Sequence, residues 1–451
     1  MSAVSNEQEL DVMPVGRLDN DDRARVLDAA HSCVDLLVRT AVLDRAGPTW
    51  PSWEIGSDGR PVGIVAGRRS LYDGDAGVVW ALTHLGTALN RPDAAELAAS
   101  GATTLLQARP TGPDVPAGLL VGEAGLDLLG RVGSMVERRW SEGSDLTDGL
   151  AGILLTLARS RRHEDHAVAI VAELRHRSVA EQWGRSWPDV RLSGDGGRPL
   201  CGLSHGASGV AWALAEAAAV WPRLGSEALP LAADALAWEA SWSDQARGGW
   251  PDLREGDITW PDLWCHGSAG AGAVRLRLLE LADAGLEVPW SVDTTRAEAE
   301  AAVQRCGHAM TVAAQVAAEQ GAEAAHAGWT LCHGAGGPAG VIALASDVFD
   351  VAEHRDQAVA AAALTLRSGS ADPEEWACGL EGADGDVSLL NGVAGTAMLL
   401  ADLALPGMVP SLVLLGMGGV RSGPSASVDS LTDPSASGGL SPGVVGFAGR
   451  G

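Results

Sequence analysis

One phrase recurs down the chain and constrains its fold more than any other feature. It is Gly-x-x-Gly followed by an apolar run. The copies are Tyr72-Asp-Gly-Asp-Ala-Gly77, Val121-Gly-Glu-Ala-Gly125, Asp148-Gly-Leu-Ala-Gly152, His205-Gly-Ala-Ser-Gly209, His266-Gly-Ser-Ala-Gly270, His333-Gly-Ala-Gly-Gly337 and Asn391-Gly-Val-Ala-Gly395. Their first glycines stand at 74, 122, 149, 206, 267, 334 and 392, so the spacings are 48, 27, 57, 61, 67 and 58 residues. A period of this size marks one supersecondary unit used repeatedly. The phrases also explain part of the glycine content, 58 of 451 residues, which is well above the usual ~7%. The rest of the excess lies in the tail from Gly416.

Each phrase is expected to open a helix. Val-Ala-Trp-Ala-Leu-Ala-Glu-Ala-Ala-Ala follows Gly209, and Thr-Ala-Met-Leu-Leu-Ala-Asp-Leu-Ala follows Gly395. Ala and Leu are strong helix formers. Helices apolar most of the way round belong in an interior. Between the phrases lie amphipathic stretches such as Pro92–Ala108, Arg296–Ala318 and Val351–Leu366, which suit an outer layer with one wet face. The second glycine lies on the same helix face as the first. Small residues there would let helix starts crowd together, with bare N–H groups pointing at the centre.

Seven inner helices alternating with outer ones predict an all-α fold, an α/α toroid with every helix start on one rim. The spacing of 27 leaves room for one helix, so the second repeat should lack its outer helix. The toroid is expected over residues 21–415. Residues 1–20 are expected to be flexible. The tail, 416–451, is rich in Gly, Ser and Pro without helical periodicity and is expected to be disordered.

Charge narrows the partners. The chain has 58 acidic and 32 basic residues, every basic one Arg, for a net charge of −26. That balance disfavours nucleic acid, which needs a basic footprint. It suits a cationic partner, or simply solubility. No apolar run approaches the ~18 residues a membrane helix needs, and the polar, acidic start does not resemble a secretory signal. The expectation is a cytoplasmic protein that is not integral to a membrane.

The six cysteines are Cys33, Cys201, Cys265, Cys306, Cys332 and Cys378. Scattered through a long chain without a secretory signal, they do not suggest a disulfide framework. Two of them are followed directly by His-Gly: Leu-Trp-Cys265-His266-Gly and Leu-Cys332-His333-Gly. Two thiolates and an imidazole suit one Zn²⁺. No fourth Cys stands in a matching phrase, which points to an open coordination position, as in catalytic sites. Spacing alone allows either His266 or His333 as the ligand. The other four cysteines read as small buried residues.

His205 leads the fourth phrase and should project onto the same rim, where an acid/base role fits. Asp145, just before the third phrase, could orient His205 or serve as a turn or capping residue. Arg254, in Trp250-Pro-Asp-Leu-Arg254, could hold a carboxylate or a peptide carbonyl, or anchor its loop by a salt bridge.

In these phrases the chain resembles the LanC-like lanthionine synthetase family, the zinc cyclases of lanthipeptide biosynthesis. The resemblance runs from about Leu71 to Leu415. It rests on the seven phrases, Trp-Cys-His-Gly, Cys-His-Gly and Gly-Leu-Ser-His-Gly. Trp-Cys-His-Gly, Trp-Pro-Asp-Leu-Arg, Leu-Tyr-Asp-Gly and the closing Pro-Ser-Leu-Val-Leu-Leu look most similar to the cyclase domains of the bifunctional synthetases. The resemblance implies an α/α toroid around zinc. It implies Cys265, Cys332 and His333 as ligands, His205 as the acid/base residue and Asp145 beside it. His266 and Arg254 become candidate contacts to substrate. The implied chemistry is addition of a peptide Cys thiolate to dehydroalanine or dehydrobutyrine, giving a thioether ring. The implied partner is a dehydrated precursor peptide. Stand-alone cyclases carry an Arg four residues before the first zinc Cys, where this chain has Pro261; the bifunctional type also lacks that Arg. The repeats begin near residue 71, so a separate dehydratase is expected to make the dehydro residues.

Two other readings compete. An α/α glycosidase or terpene-type cyclase would need a carboxylate pair or an Asp-rich motif on the rim, with Asp384 and Asp386 as candidates. A non-catalytic family member would hold a peptide or partner enzymes.

Overall fold

In a computed structural model of the chain, the described residues are 18–56, 60–107, 115–129, 140–189, 197–244, 249–254, 258–321, 328–380 and 382–418. The expected loose N-terminus and nearly all of the tail lie outside them. So do residues 130–139, where an outer helix of the second repeat would have to be sought.

The helices are α1 (Asn20–Arg39), α2 (Asp75–Ala88), α3 (Pro92–Gln107), α4 (Leu150–Ser160), α5 (Glu164–Arg177), α6 (Ala207–Val220), α7 (Gly225–Ala240), α8 (Ser268–Asp283), α9 (Val292–Gln320), α10 (Gly336–Phe349), α11 (Ala352–Ser368) and α12 (Val393–Ala404). Six phrases open an α-helix. The second opens a 3₁₀ segment instead, Glu123–Leu129, so the expectation of a helix after every phrase needs that correction.

The inner ring runs α2, the 3₁₀ segment, α4, α6, α8, α10, α12, each against the next, and α12 packs back on α2. Outside it, α3 covers α2, α5 covers α4, α7 covers α6, α9 lies over α8 and α10, and α11 lies over α10 and α12. The last inner helix takes its main cover from α1, at the other end of the sequence. Val26, Ala30, Cys33, Val34 and Leu37 of α1 are buried. Asp19 and Asp22 start that helix with a reciprocal capping box. Arg23 donates to the Leu403 carbonyl at 3.0 Å.

The sequence did not announce the four small antiparallel strand pairs found among the described residues of the connections. They pair β1 (Val42–Leu43) with β2 (Pro48–Thr49), β3 (Ser52–Ile55) with β4 (Pro61–Val65), β5 (Val179–Glu181) with β6 (Gly184–Ser186), and β7 (Pro188–Asp189) with β8 (Arg198–Pro199).

The repeated second glycine has a steric cause. A Cβ on Gly209 would fall on the Leu203 carbonyl of its own loop and 3.1 Å from the Leu146 Cβ of the phrase before. A Cβ on Gly270 would meet the Trp264 carbonyl and come 2.7 Å from the Leu203 Cβ. Each helix start is thus wedged against its neighbour at the same register. The first-turn N–H groups are not bare, contrary to expectation. Ala207 N–H donates to the Leu200 carbonyl, Gly152 N–H to the Asp145 carbonyl and Val393 N–H to the Asp386 carbonyl. Each phrase folds back to satisfy its own helix.

Neighbouring phrases are also stitched by backbone hydrogen bonds. Tyr72 N–H donates to Leu120, Leu120 to Thr147, Thr147 to Ser204 and Ser204 to Cys265. Further round, Cys332 N–H donates to Leu390, and Leu390 to Tyr72. Among the described residues the fifth and sixth phrases alone lack such a bond. There the Cys265 thiol reaches the Cys332 carbonyl at 3.4 Å instead.

Candidate metal centre and acid/base pair

At that unstitched junction, Cys265 Sγ, Cys332 Sγ and a ring nitrogen of His333 lie within 4.8 Å of one another. Both cysteines are buried. Each is delivered by the loop that turns into an inner helix, α8 for Cys265 and α10 for His333 and Cys332. The Gly267 backbone, at φ +100°, makes the turn after Cys265. A side chain there would strike the Pro261 carbonyl. That carbonyl accepts the Ser268 N–H at 3.1 Å, so Pro261 closes the loop.

The donor set fits a soft or borderline divalent cation. The neighbouring Cys332 and burial push the Cys265 thiol well above its ordinary range. Two buried thiols side by side cannot both ionise without a compensating positive charge. Burial alone would lower His333, but its contact with Cys265 carries the net shift upward. His333 Nε2 lies 4.0 Å from Cys332 Sγ, and Nδ1 lies 3.0 Å from Asn391 Oδ1. The Tyr72 hydroxyl donates to Cys332 Sγ at 3.2 Å. His266, the other ligand allowed by spacing, is not in this group. Its buried ring lies 5.8 Å from that of His205. Burial and the Arg254 charge push it down to about 3, so it stays neutral.

His205 Nδ1 sits 2.9 Å from Asp145 Oδ2. The other oxygen of Asp145 accepts the backbone N–H groups of Asp148 and Gly149 at 3.0 and 3.1 Å. One carboxylate therefore shapes its own loop and faces the histidine at the same time. With Nδ1–H committed to the carboxylate, proton exchange is directed to Nε2.

Asp189, at the end of β7, joins Asp145 and His205 within 4.8 Å. Sequence reasoning missed it. A signal existed, because Trp-Pro-Asp recurs at 187–189, 250–252 and 260–262. The first two copies bring carboxylates to this rim. Asp252 clasps Arg254, with Oδ2 to Nη2 at 2.6 Å, which is the loop-anchoring role. Partial burial opposes the Arg254 charge, but Asp252 and the thiols of Cys265 and Cys332 outweigh it and hold the guanidinium above its ordinary value.

Asp384 and Asp386 form no catalytic pair here. Asp386 is buried and spends its carboxylate on the N–H groups of Trp53 and Ser388, at 2.8 and 2.7 Å. Asp384 is exposed.

A family model described as "Lanthionine synthetase C-like protein" matches residues 64–414. The chain belongs to the LanC-like family. Among solved structures, this LanC-like chain is similar to "Nisin cyclase", with a TM-score of 0.50 and 17% sequence identity, over 78% of this chain and 93% of that one. At that identity the likeness shows a shared fold. Among curated proteins no match is found. The LanC-like ring carries the three potential metal donors and the His205–Asp145 pair on its helix-start side. Among the described residues, no helix is long and apolar enough to cross a membrane.

Proposed function

We propose that this LanC-like protein is a zinc-dependent lanthipeptide cyclase. It adds Cys thiolates of a dehydrated precursor peptide to dehydroalanine or dehydrobutyrine, forming (methyl)lanthionine rings. The observation that carries this reading is the pairing of a two-thiol, one-imidazole donor set with a carboxylate-oriented histidine in one family-typical ring.

Cys265, Cys332 and His333 would hold the ion, which on binding would lower the pKa of an incoming peptide thiol so that thiolate is available near neutral pH. The rest falls to side chains of this chain. The thiolate sulfur bonds to the β-carbon of the dehydro residue, and the double-bond pair moves toward the carbonyl. His205, protonated at Nε2, delivers the proton to the α-carbon, and as a base it takes up the thiol proton. The sum is addition of S–H across one C=C bond, with nothing lost. Asp145 holds the imidazole tautomer and stabilises the imidazolium. In this reading Arg254 would contact the substrate backbone, as would His266 once substrate opened its buried ring to contact. Pro261 in place of an Arg, with the Trp250-Pro-Asp-Leu-Arg254 stretch, supports likeness to the type of cyclase joined to a dehydratase in bifunctional enzymes. A dehydrating activity would supply the dehydro residues, and the site of action would be the cytoplasm.

The test is metal analysis of the purified protein, followed by incubation with a dehydrated, Cys-containing peptide. Ring formation is read as loss of thiol alkylation at unchanged mass. Zinc near one equivalent and turnover abolished by Cys332→Ala are expected. Turnover by Cys332→Ala at the normal rate would overturn the proposal. Peptide binding without turnover would point to the non-catalytic reading.

A further inference from the structure

Two thiolate ligands carry a difficulty. Together they neutralise a divalent ion and blunt its pull on an incoming thiol. The ring contains a group placed to offset this. Tyr72 is the single tyrosine in 451 residues. It comes from the first phrase, yet its hydroxyl lies 3.2 Å from Cys332 Sγ in the sixth.

Asn391, from the seventh phrase, settles where the protons go. Its Nδ2 donates to the Tyr72 oxygen at 3.2 Å. Its Oδ1 lies 3.0 Å from His333 Nδ1 and 3.5 Å from the Tyr72 hydroxyl. An amide oxygen can only accept, so Nδ1 of His333 carries the proton and Nε2 is left as the donor nitrogen facing the sulfurs. With its oxygen receiving the Asn391 amide and the Asn391 carbonyl receiving His333, the phenol has its one proton for Cys332. The chain of donation runs from Asn391 through Tyr72 to sulfur, and from His333 back to Asn391.

A hydrogen bond to a ligand thiolate draws electron density off the sulfur and weakens its donation to an ion. We propose that Tyr72 tunes the metal site by hydrogen-bonding Cys332, and that Asn391 positions both Tyr72 and the His333 tautomer. The inference rests on the zinc reading above and deepens it. Tyr72 and Asn391 are positioning residues, since they act through ligands.

The test uses full-length protein loaded with Co²⁺ in place of zinc, which gives a sulfur-to-metal charge-transfer band. Tyr72→Phe keeps the ring and removes one oxygen. Without the hydrogen bond the sulfur donates more strongly, so the band should move to lower energy and kcat should fall about 10-fold with KM little changed. Asn391→Ala should weaken metal affinity about 10–100-fold in chelator competition. A Tyr72→Phe band identical to wild type, or an Asn391→Ala protein with unchanged metal affinity, overturns the inference while leaving the zinc reading standing. A wild-type protein that takes up neither metal overturns the zinc reading first, and this inference with it.

Discussion

Glu239 on α7 and Arg275 on α8 form an ion pair at 2.5 Å with both side chains fully buried. The same carboxylate accepts the backbone N–H groups of Gly202 and Ser208 at 2.7 and 3.1 Å. Those residues bracket His205. Arg275 sits on the helix that follows Cys265, stacks 4.7 Å from the Trp250 ring and also reaches Glu298 at 3.0 Å. One buried charge cluster therefore ties the acid/base loop to the thiol-bearing helix.

Removing one charge of that pair should be costly. Glu239→Gln keeps an oxygen for the two N–H groups but removes the fully buried charge facing Arg275, leaving it only the more exposed Glu298, and about 3 kcal/mol of stability should be lost. Adding Arg275→Met should recover most of it. Denaturant unfolding of the single and double variants checks this. Equal stability of wild type and Glu239→Gln would show that the pair contributes little.

His205→Asn should lower cyclisation by about 10²–10⁴-fold with metal content unchanged. Asp145→Asn should also fall by at least about 10²-fold, because the amide presents a donor to His205 Nδ1 and disfavours the productive tautomer. Single-turnover rates with parallel metal analysis make the comparison. A wild-type rate for Asp145→Asn would remove that residue from the mechanism.

The wedge at the second glycines can be tested against an open position. Gly209→Ala and Gly270→Ala should each cost about 1–3 kcal/mol or more, since the new methyl group meets a backbone carbonyl as well as a side chain. Gly63, on β4, has nothing within 4 Å of the point a Cβ would occupy, and Gly63→Ala should stay within about 0.5 kcal/mol of wild type. Thermal melts of the three variants decide the matter.

Asp75 gives a pH signature. It accepts the Trp50 N–H and the Thr49 hydroxyl, each at 2.8 Å, yet burial pushes its carboxyl up to about 6. The folded state then binds this proton more tightly than the unfolded chain does. The group costs stability above pH 6, and the cost is relieved as pH falls from 6 toward 4. Relative to Asp75→Asn, wild type should gain roughly 1–3 kcal/mol between pH 7 and pH 4. Parallel stability curves for the two proteins would contradict the assignment.

The ring and its rim were legible in the sequence because glycine there is demanded by backbone-to-backbone approach, which leaves a spaced, position-specific mark. The same register pointed to Cys265, Cys332 and His205 and left His266 and His333 as alternatives, between which the family resemblance chose His333. Asp145 was legible from its place before the third phrase. What stayed hidden depends on contacts between distant segments. The role of α1 follows from where the two ends of the fold meet, and no periodicity reports that. The strand pairs are too short to carry a strand pattern. Asp189 was overlooked because a single aspartate in a connection is ordinary, and its Trp-Pro-Asp setting gains meaning only beside the other two copies. Tyr72 and Asn391 lead their phrases as many polar residues could, and only proximity to Cys332 and His333 gives them a task.

Among the described residues, the other joints of the ring are fastened main chain to main chain. Between Cys265 and Cys332 the loops meet through a thiol instead. The joint that would hold an ion is thus the one whose backbones are not tied to each other, and an ion gripped from both sides would itself be the clasp that closes the circle.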